Sequence, residues 1–284
     1  MSLFDALTEF AFMRRAVLGC IAISLGAAPV GCFLLLRRMS LTGDAMAHAI
    51  LPGAAVGFLV SGLSVGAMTL GGIVAGLAVA LLSGLVTRVT SLREDASLAA
   101  FYLISLALGV LIVSTHGSNV DLLHVLFGTV LALDDAALAL LCAVAAGTWI
   151  VLAAIYRPLV LECVDPQFLR SVSRLSAPVH FLFLALVVVN LVAGFQALGT
   201  LMAVGLMILP ASAARFWTVS LGAMIALAIA IGIVASLAGL ALSYRFGWPS
   251  GPAIVLMAGL AHVVSLICGR EGGLFARRWA RQPA

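Results

Sequence analysis

Long apolar runs are the feature that most limits how this chain folds. A helix needs about 20 mostly apolar residues to cross the hydrocarbon core of a bilayer. Apolar residues make up 64% of the chain and charged residues only 9%, against roughly 45–50% and about 25% in soluble domains. The runs are 16–36, 45–62, 66–87, 96–114, 136–155, 179–196, 199–214, 218–242 and 250–268. They predict an all-α polytopic membrane protein, with residues 1–284 forming one transmembrane domain.

The seventh run departs from a simple series of crossings. It is short, contains Pro210 and begins only a few residues after the sixth run. A broken or re-entrant helix is as compatible with it as a full crossing, so the sequence predicts eight or nine transmembrane helices. Near the N terminus, residues 1–13 place Phe4, Leu7 and Phe10 at helical spacing. That spacing predicts a short helix at the membrane interface.

Arginine supplies all 15 basic residues, because the chain contains no lysine. A phosphate-binding loop needs a Gly-Lys-Ser/Thr sequence, so this chain cannot bind and hydrolyse ATP by that route. With nine crossings, three arginines (Arg14, Arg15 and Arg245) fall on one side and the other twelve on the opposite side. The positive-inside rule then puts the N terminus outside and the C terminus in the cytoplasm. Arginines scattered at the ends of apolar runs do not form a nucleic-acid surface.

Asp44 and His48, at the start of the second run, are the strongest candidates for chemistry. They are four residues apart, which places both on one face of a helix. A carboxylate and an imidazole together suit zinc and also manganese. Pro52 cannot donate to the His48 carbonyl, which leaves that oxygen free nearby. The alternative is structural: Asp44 caps the helix, and His48 forms a hydrogen bond to a neighbouring helix.

Residues 157–178 predict the longest loop on the cytoplasmic side. Asp165 followed by Pro166 is typical of a helix N-cap with proline at the first helical position. An apolar stripe follows, with arginines on the opposite face. The stripe consists of Phe168, Leu169, Val172 and Leu175. A short surface helix is therefore expected, either lying in the headgroup region or docking a cytoplasmic partner.

The remaining ionisable residues are assigned lesser roles. An outer loop contains acidic residues and histidines but no arginine, and it is either simply solvated or attractive to cations. These residues are His116, Asp121, His124, Asp134 and Asp135. His180 and His262 are expected to be structural. Glu94, Asp95 and Glu162 are expected in loops.

Residues 14–53 resemble the opening signature of the membrane permease subunits of bacterial zinc and manganese ABC importers, the ABC-3 family. Shorter matches follow in family order over nearly the whole chain. They are Arg93-Glu94-Asp95, Leu126-Phe127-Gly128, Asp165-Pro166, Gly199-Thr200-Leu201 and Leu209-Pro210-Ala211. Two departures stand out. Leu169 and Ser173 replace a small residue and a glycine that the family usually has, and Thr129 replaces a frequent acid.

The resemblance implies a homodimeric permease in the bacterial cytoplasmic (inner) membrane. It implies two cytoplasmic ATPase subunits as partners, an extracytoplasmic solute-binding protein, and metal contact by Asp44 and His48. Zinc is the first expected cargo and manganese the second, with no permanently bound cofactor. The alternatives are a permease for iron or a metal chelate, and a membrane sensor or scaffold that transports nothing.

Two further expectations concern surfaces. The helix that begins at Pro166 is predicted to dock in a groove on the ATPase, because helix-in-groove recognition uses apolar anchors at such spacing. The residues assigned to this coupling are Asp165, Pro166, Phe168, Leu169 and Val172. The small-residue spacing of Gly71, Gly72 and Gly76 predicts a close-packing face for the dimer.

Overall fold

A computed structural model describes residues 10–62, 64–90, 93–115, 130–271 and 273–275. These residues form ten α-helices, a short 3-10 turn and connecting turns, with no β-strand among them. The helices are α1 (Ala11–Leu36), α2 (Thr42–Ser61), α3 (Val65–Val89), α4 (Glu94–Thr115), α5 (Asp135–Val164), α6 (Pro166–Val172), α7 (Ser176–Leu198), α8 (Thr200–Arg215), α9 (Leu221–Phe246) and α10 (Ser250–Cys268). In this part of the chain, eight helices are long and apolar enough to cross a membrane. The predicted all-α polytopic fold is confirmed.

The helices α1 and α7 form the centre of the bundle. In their most apolar windows, 78% of the residues of α1 and 72% of those of α7 are buried, against 22% for α4 and α5. The two central helices are antiparallel, since Phe183 packs near Phe33 and Asn190 lies beside Gly26. The outer helices shield this centre and leave apolar side chains on the surface, as expected for a protein surrounded by lipid.

The seventh apolar run forms α8, a helix of 16 residues. Gly199 precedes it with φ 91°, a left-handed conformation that favours glycine. This residue reverses the chain, so that Ala203 of α8 and Ile23 of α1 both lie against Gly194 of α7. The helix then runs parallel to α1, and its middle packs against Gly31. It is a short, largely buried helix beside eight long ones.

Contacts place the arginines at two ends of the bundle. At one end Arg37 reaches His180, and the backbone N–H of Glu271 donates to the carbonyl of Phe216. We call this the arginine-rich end. Its described arginines are Arg37, Arg38, Arg88, Arg93, Arg157, Arg170, Arg174, Arg215 and Arg270. At the opposite end Arg15 pairs with Asp135 at 3.2 Å.

Several expected loops are helical instead. The helix α5 continues to Val164, so residues 157–164 are helical, and Glu162 lies buried among them at 3% exposed. Packing against the bundle extends α5 past its apolar run, since Leu159 is fully buried. Glu94 and Asp95 form the first turn of α4. Residues 1–9 of the predicted interfacial helix and residues 116–129 of the outer loop lie outside the described residues.

Gly71, Gly72 and Gly76 do not form a free face. A Cβ atom on Gly71 would lie 2.0 Å from the carbonyl oxygen of Gly53. A Cβ atom on Gly72 or Gly76 would lie 2.8 Å or 3.1 Å from the side chain of Ile50. These glycines let α2 and α3 approach each other within one chain. The prediction that they form the dimer face is therefore wrong.

Candidate metal site and docking helix

The helix α2 places Asp44 and His48 on one face. Leu41 is the N-cap residue of α2, so Asp44 lies in the first turn and not at the cap position. Its Oδ1 atom is 3.8 Å from Nε2 of His48, too far for a direct hydrogen bond. A cation about 2.1 Å from each atom would fit between them. The geometry thus allows one ion to bridge the pair.

Both side chains are exposed, which is unusual for ionisable groups on an apolar helix. The Asp44 side chain is 67% exposed and that of His48 is 38% exposed. An ionised carboxylate is costly in lipid, and such residues in membrane helices face water-filled cavities or other protein surfaces. This face of α2 therefore needs water or a second protein surface beside it.

A cleft of about 170 Å³ opens beside Asp44, between the start of α2 and the first turns of α4. From α4 it receives a second carboxylate, Asp95, and the aromatic ring of Tyr102. That ring stacks on the imidazole of His48, with centroids 6.3 Å apart and an interplanar angle of 30°. The lining residues are Leu41, Thr42, Asp44, Ala45, Asp95, Leu98, Ala99 and Tyr102.

The start of α2 lies near the arginine-rich end of the bundle. Asp44 shares its cleft with Asp95 in the first turn of α4, and the neighbouring Glu94 lies 3.9 Å from Arg37. His48 lies one helical turn further along α2, away from that end.

Each chain supplies two candidate ligands to this site. Among the described residues, no group of three or more His, Cys, Asp or Glu side chains could hold an ion. Asp95 shares the cleft, but its carboxylate lies 3.9 Å from the guanidinium of Arg93. A structural metal site closes around its ion with four protein ligands, whereas a conducting site must also release it. Two ligands per chain are fewer than a structural site has, which suits a site that must release its ion.

A proline follows the pair and a serine fastens α2 to α4. Pro52 has no N–H to bond the His48 carbonyl, and it packs against Gly109 of α4. The hydroxyl of Ser105 donates to the carbonyl of Ala49 at 3.0 Å. The position of α4 is thereby coupled to that of α2 immediately beyond the pair.

The short helix α6 begins as its sequence predicts. The carboxylate of Asp165 accepts a hydrogen bond from the Phe168 N–H at 2.9 Å, and Pro166 is the first helical residue. The apolar stripe, however, divides between two faces. Leu169 is 4% exposed and holds α6 on the bundle, whereas Phe168 and Val172 are 52% and 69% exposed.

A buried ionic cluster at the arginine-rich end was missed by sequence reasoning. We define it as Arg37, Arg88, Glu94, Glu162 and His180. Arg37 Nη2 lies 2.6 Å from Nδ1 of His180, and Nε2 of His180 lies 3.3 Å from Oε1 of Glu94. Each member stands near the end of an apolar run, and only the packing of five helices brings them together.

Comparison with known proteins identifies relatives over nearly the whole chain. The profile of the ABC 3 transport family matches residues 9–269. The manganese import system permease protein ScaB of Streptococcus parasanguinis is 33% identical over 261 residues, 92% of each protein. The chelated iron transport system membrane protein YfeD of Yersinia pestis is 28% identical over 268 residues, 93% of this chain and 89% of that protein. The structure of PsaBC from Streptococcus pneumoniae in complex with Fab matches with a TM-score of 0.84 and 30% identity, over 97% of this chain and 98% of that one.

Proposed function

This chain belongs to the ABC 3 transport family, and we propose that it is the permease of an ATP-driven importer of manganese. The family and the curated relatives are transport components, so the chain is a membrane permease and not an enzyme. The observation that carries the proposal is the exposed Asp44 and His48 pair on a membrane helix. A carboxylate and an imidazole on one face supply the chemistry that a divalent metal needs.

The named cargo of a relative favours manganese over zinc. The candidate ligands Asp44 and His48, a carboxylate and an imidazole, suit both ions, so the order of the two cargoes rests on the comparison. The relative ScaB is named a manganese importer. Manganese therefore becomes the first proposed cargo and zinc, the first expectation from sequence, the second.

A second copy of this chain is the proposed cover for the exposed face of α2. Most oligomers are symmetric, and a twofold axis pairs the same surface of both copies. Placing that axis beside α2 would bring two carboxylates and two imidazoles to one ion. It would also remove Asp44, at 67% exposed, from contact with lipid.

The remaining partners follow from two features of this chain, the absence of lysine and the position of α6 at the arginine-rich end. It has no lysine for a phosphate-binding loop, so ATP hydrolysis belongs to separate subunits. The positive-inside rule assigns the arginine-rich end, which carries α6, to the cytoplasm together with the C terminus. An ATPase then meets α6 there. An extracytoplasmic solute-binding protein delivers the ion at the other end, in the cytoplasmic membrane of a bacterium.

A permease for iron or a metal chelate is the second candidate. It is favoured by the similarity to YfeD, which is named for chelated iron transport. A chelated metal brings its own ligands, so its passage has no need of Asp44 and His48. Replacing Asp44 and His48 therefore separates a permease for free manganese from a permease for a chelated metal.

The test measures uptake of radioactive manganese by proteoliposomes that contain the permease, its ATPase and its solute-binding protein. Asp44→Asn removes the charge and keeps the shape of the side chain, and His48→Ala removes the imidazole. We expect uptake to fall about 10–100-fold in each variant, as for loss of other groups that support a metal site.

Asp135→Asn is the matched control, because it changes an 85% exposed carboxylate at the opposite end. Its uptake should stay within about twofold of the unchanged protein, since exposed ion pairs contribute little. Normal assembly and unchanged manganese uptake in both site variants would show that the ion passes elsewhere. If iron-chelate uptake persists while the chain moves no free manganese, the second candidate is correct. A chain that moves neither is a sensor or scaffold.

A further inference from the structure

The ionic cluster joins five helices, and three of its members are almost fully buried. The side chains of Arg37 and His180 are 8% and 6% exposed, and Glu162 is 3% exposed. Burying an ion costs several kcal/mol, which an opposite charge offsets only in good geometry. The arrangement of the five helices at this end therefore depends on how these charges pair.

Three members of the cluster lie in a triangle with one hydrogen bond. The guanidinium of Arg37 can only donate, so Nδ1 of His180 accepts at 2.6 Å and the ring hydrogen lies on Nε2. That Nε2 faces Oε1 of Glu94 at 3.3 Å, and Arg37 Nη2 lies 3.9 Å from Oε2 of Glu94. Among the described residues, Nη1 of Arg37 and Oε1 of Glu94 nevertheless have no hydrogen-bond partner, so the triangle joins α1, α4 and α7 with donors and acceptors left over.

The other two members have opposite charges and no mutual hydrogen bond. Among the described residues, Nε and Nη2 of Arg88 are buried without a partner, and so is Oε2 of Glu162. The Arg88 guanidinium instead lies over the ring of Phe181, 5.4 Å from its centroid. Buried polar groups are nearly always satisfied, and an unsatisfied one calls for an explanation. A displacement of α5 relative to α3 that brings the two side chains together would let Arg88 and Glu162 pair.

The helices α5 and α4 connect the cluster to the proposed docking helix α6 and to the cleft beside Asp44. Glu162 lies three residues before Asp165, which caps the docking helix α6. Glu94 begins α4, whose following residue Asp95 lines the cleft beside Asp44. A movement of α6 relative to α4 therefore changes distances within the cluster.

We propose that the ionic cluster is a latch that exchanges one set of pairs for another during transport. In this structure Arg37, His180 and Glu94 lie together, and Arg88 and Glu162 form no ion pair among the described residues. Displacement of α6 by the ATPase joins Arg88 to Glu162 and loosens the triangle, which frees α4 to move against α2. The members are positioning residues that act on the ion through α4. This inference rests on the proposed function.

The experiment measures manganese ions imported per ATP hydrolysed, with the complete complex in proteoliposomes. Glu162→Gln keeps the shape of the side chain and removes its charge. We expect the ratio to fall about tenfold while ATP is still hydrolysed, a loss typical of coupling between distant sites. Arg88→Gln should lower the ratio equally, since it removes the other partner. A merely structural role would reduce the amount of folded complex and leave the ratio unchanged.

A charge exchange tests the pairing itself. The double variant Arg88→Glu with Glu162→Arg can form the same pair reversed, so we expect it to recover most of the ratio lost in Glu162→Gln. If the double variant does not recover the ratio of manganese imported to ATP hydrolysed, pairing of Arg88 with Glu162 during transport is overturned. Glu271→Gln is the matched control, because it makes the same change at an exposed position of the same end.

The outcomes separate the latch from the transport function. A normal ratio in Glu162→Gln and Arg88→Gln, with normal amounts of complex, overturns the latch and leaves the permease function standing. If Glu162→Gln does not assemble, Arg88→Gln and the charge exchange supply the same measurement. Absence of manganese uptake by the unchanged complex overturns the proposed function itself.

Discussion

At the scale of single residues, glycine decides how closely α2, which carries Asp44 and His48, approaches α3. A Cβ atom on Gly53 would lie 2.0 Å from the carbonyl oxygen of Gly71, and one on Gly57 would lie 2.4 Å from that of Ala67. Two backbones meet there without intervening side chains, as small residues permit in membrane helices. This contact fixes the rotation of α2 and hence the direction in which Asp44 and His48 face.

We expect Gly53→Ala and Gly71→Ala each to destabilise the protein by about 1–3 kcal/mol, the usual cost of overpacking. The added methyl group must push α2 from α3, because the atom in its way is backbone and cannot rotate aside. Thermal unfolding of the purified protein measures the loss of stability. Manganese uptake should fall as well, since the displaced helix carries the metal pair.

Gly66→Ala provides the control on α3, the helix that also contains Gly71. A Cβ atom there meets no atom of the described residues within 4 Å, and alanine favours the helix more than glycine does. We expect its unfolding temperature to be unchanged or slightly raised. Equal unfolding temperatures for Gly53→Ala and Gly66→Ala would contradict the close crossing of α2 and α3.

At the scale of elements, α6 is a seven-residue helix with two different tasks. Leu169, 4% exposed, attaches the helix to the bundle, while Phe168 and Val172 point outward. Its beginning is set locally by the Asp165 carboxylate and Pro166. A helix this short is marginal on its own, so its attachment and its cap hold it in place on the bundle.

We expect Phe168→Asp together with Val172→Asp to weaken ATPase binding about 10–100-fold without unfolding the permease. Both side chains are exposed, and truncating a central apolar anchor of an interface commonly costs more than about 1 kcal/mol. Co-purification of the ATPase and the ratio of manganese imported to ATP hydrolysed measure the effect. Normal co-purification and uptake would refute docking through these residues.

Two further variants on α6 separate the loss of apolar anchors from the effect of an added charge and from loss of folding. Gln167→Asp adds a carboxylate to the same helix at an exposed polar position, so we expect ATPase binding to be retained. Leu169→Asp buries a charge against the bundle, which should lower the unfolding temperature. A loss of binding in Gln167→Asp equal to that in the double variant would show that charge, and not the apolar anchors, is responsible.

At the scale of the whole molecule, the exposed Asp44 and His48 pair leaves the proposed metal site of a single chain incomplete. Among the described residues, the outer helices pack around the central helices α1 and α7, yet Asp44 and His48 lie on a face that these residues leave exposed. The proposed dimer supplies the missing surface and doubles the number of ligands. Its interface should therefore contain the start of α2.

Mixed dimers test whether one ion is held by both copies. Two differently tagged copies are purified through both tags in turn, one of them carrying Asp44→Asn and His48→Ala. A shared site should lose most of its manganese uptake, because half of its ligands are gone. Two separate paths should keep half of the uptake, and that result would contradict a shared site. A mixed dimer with Asp135→Asn in one copy is the control.

The sequence alone determines the features that depend on neighbouring residues. Apolar run length predicts the membrane helices, since each helix must satisfy its own backbone within lipid. The four-residue spacing places Asp44 and His48 on one face because a helix turns every 3.6 residues. Asp165 and Pro166 mark the start of α6 through a hydrogen bond between residues three apart. None of these depends on the rest of the fold.

Only the tertiary structure decides the features that join distant parts of the chain. Arg37 and His180 are separated by 143 positions, so no local pattern pairs them. The same holds for Gly53 and Gly71, whose contact follows from how two helices cross, and for the burial of Glu162 beyond the end of an apolar run. Helix formation is local in the sequence, but burial and charge pairing depend on which helices become neighbours, and packing alone determines that.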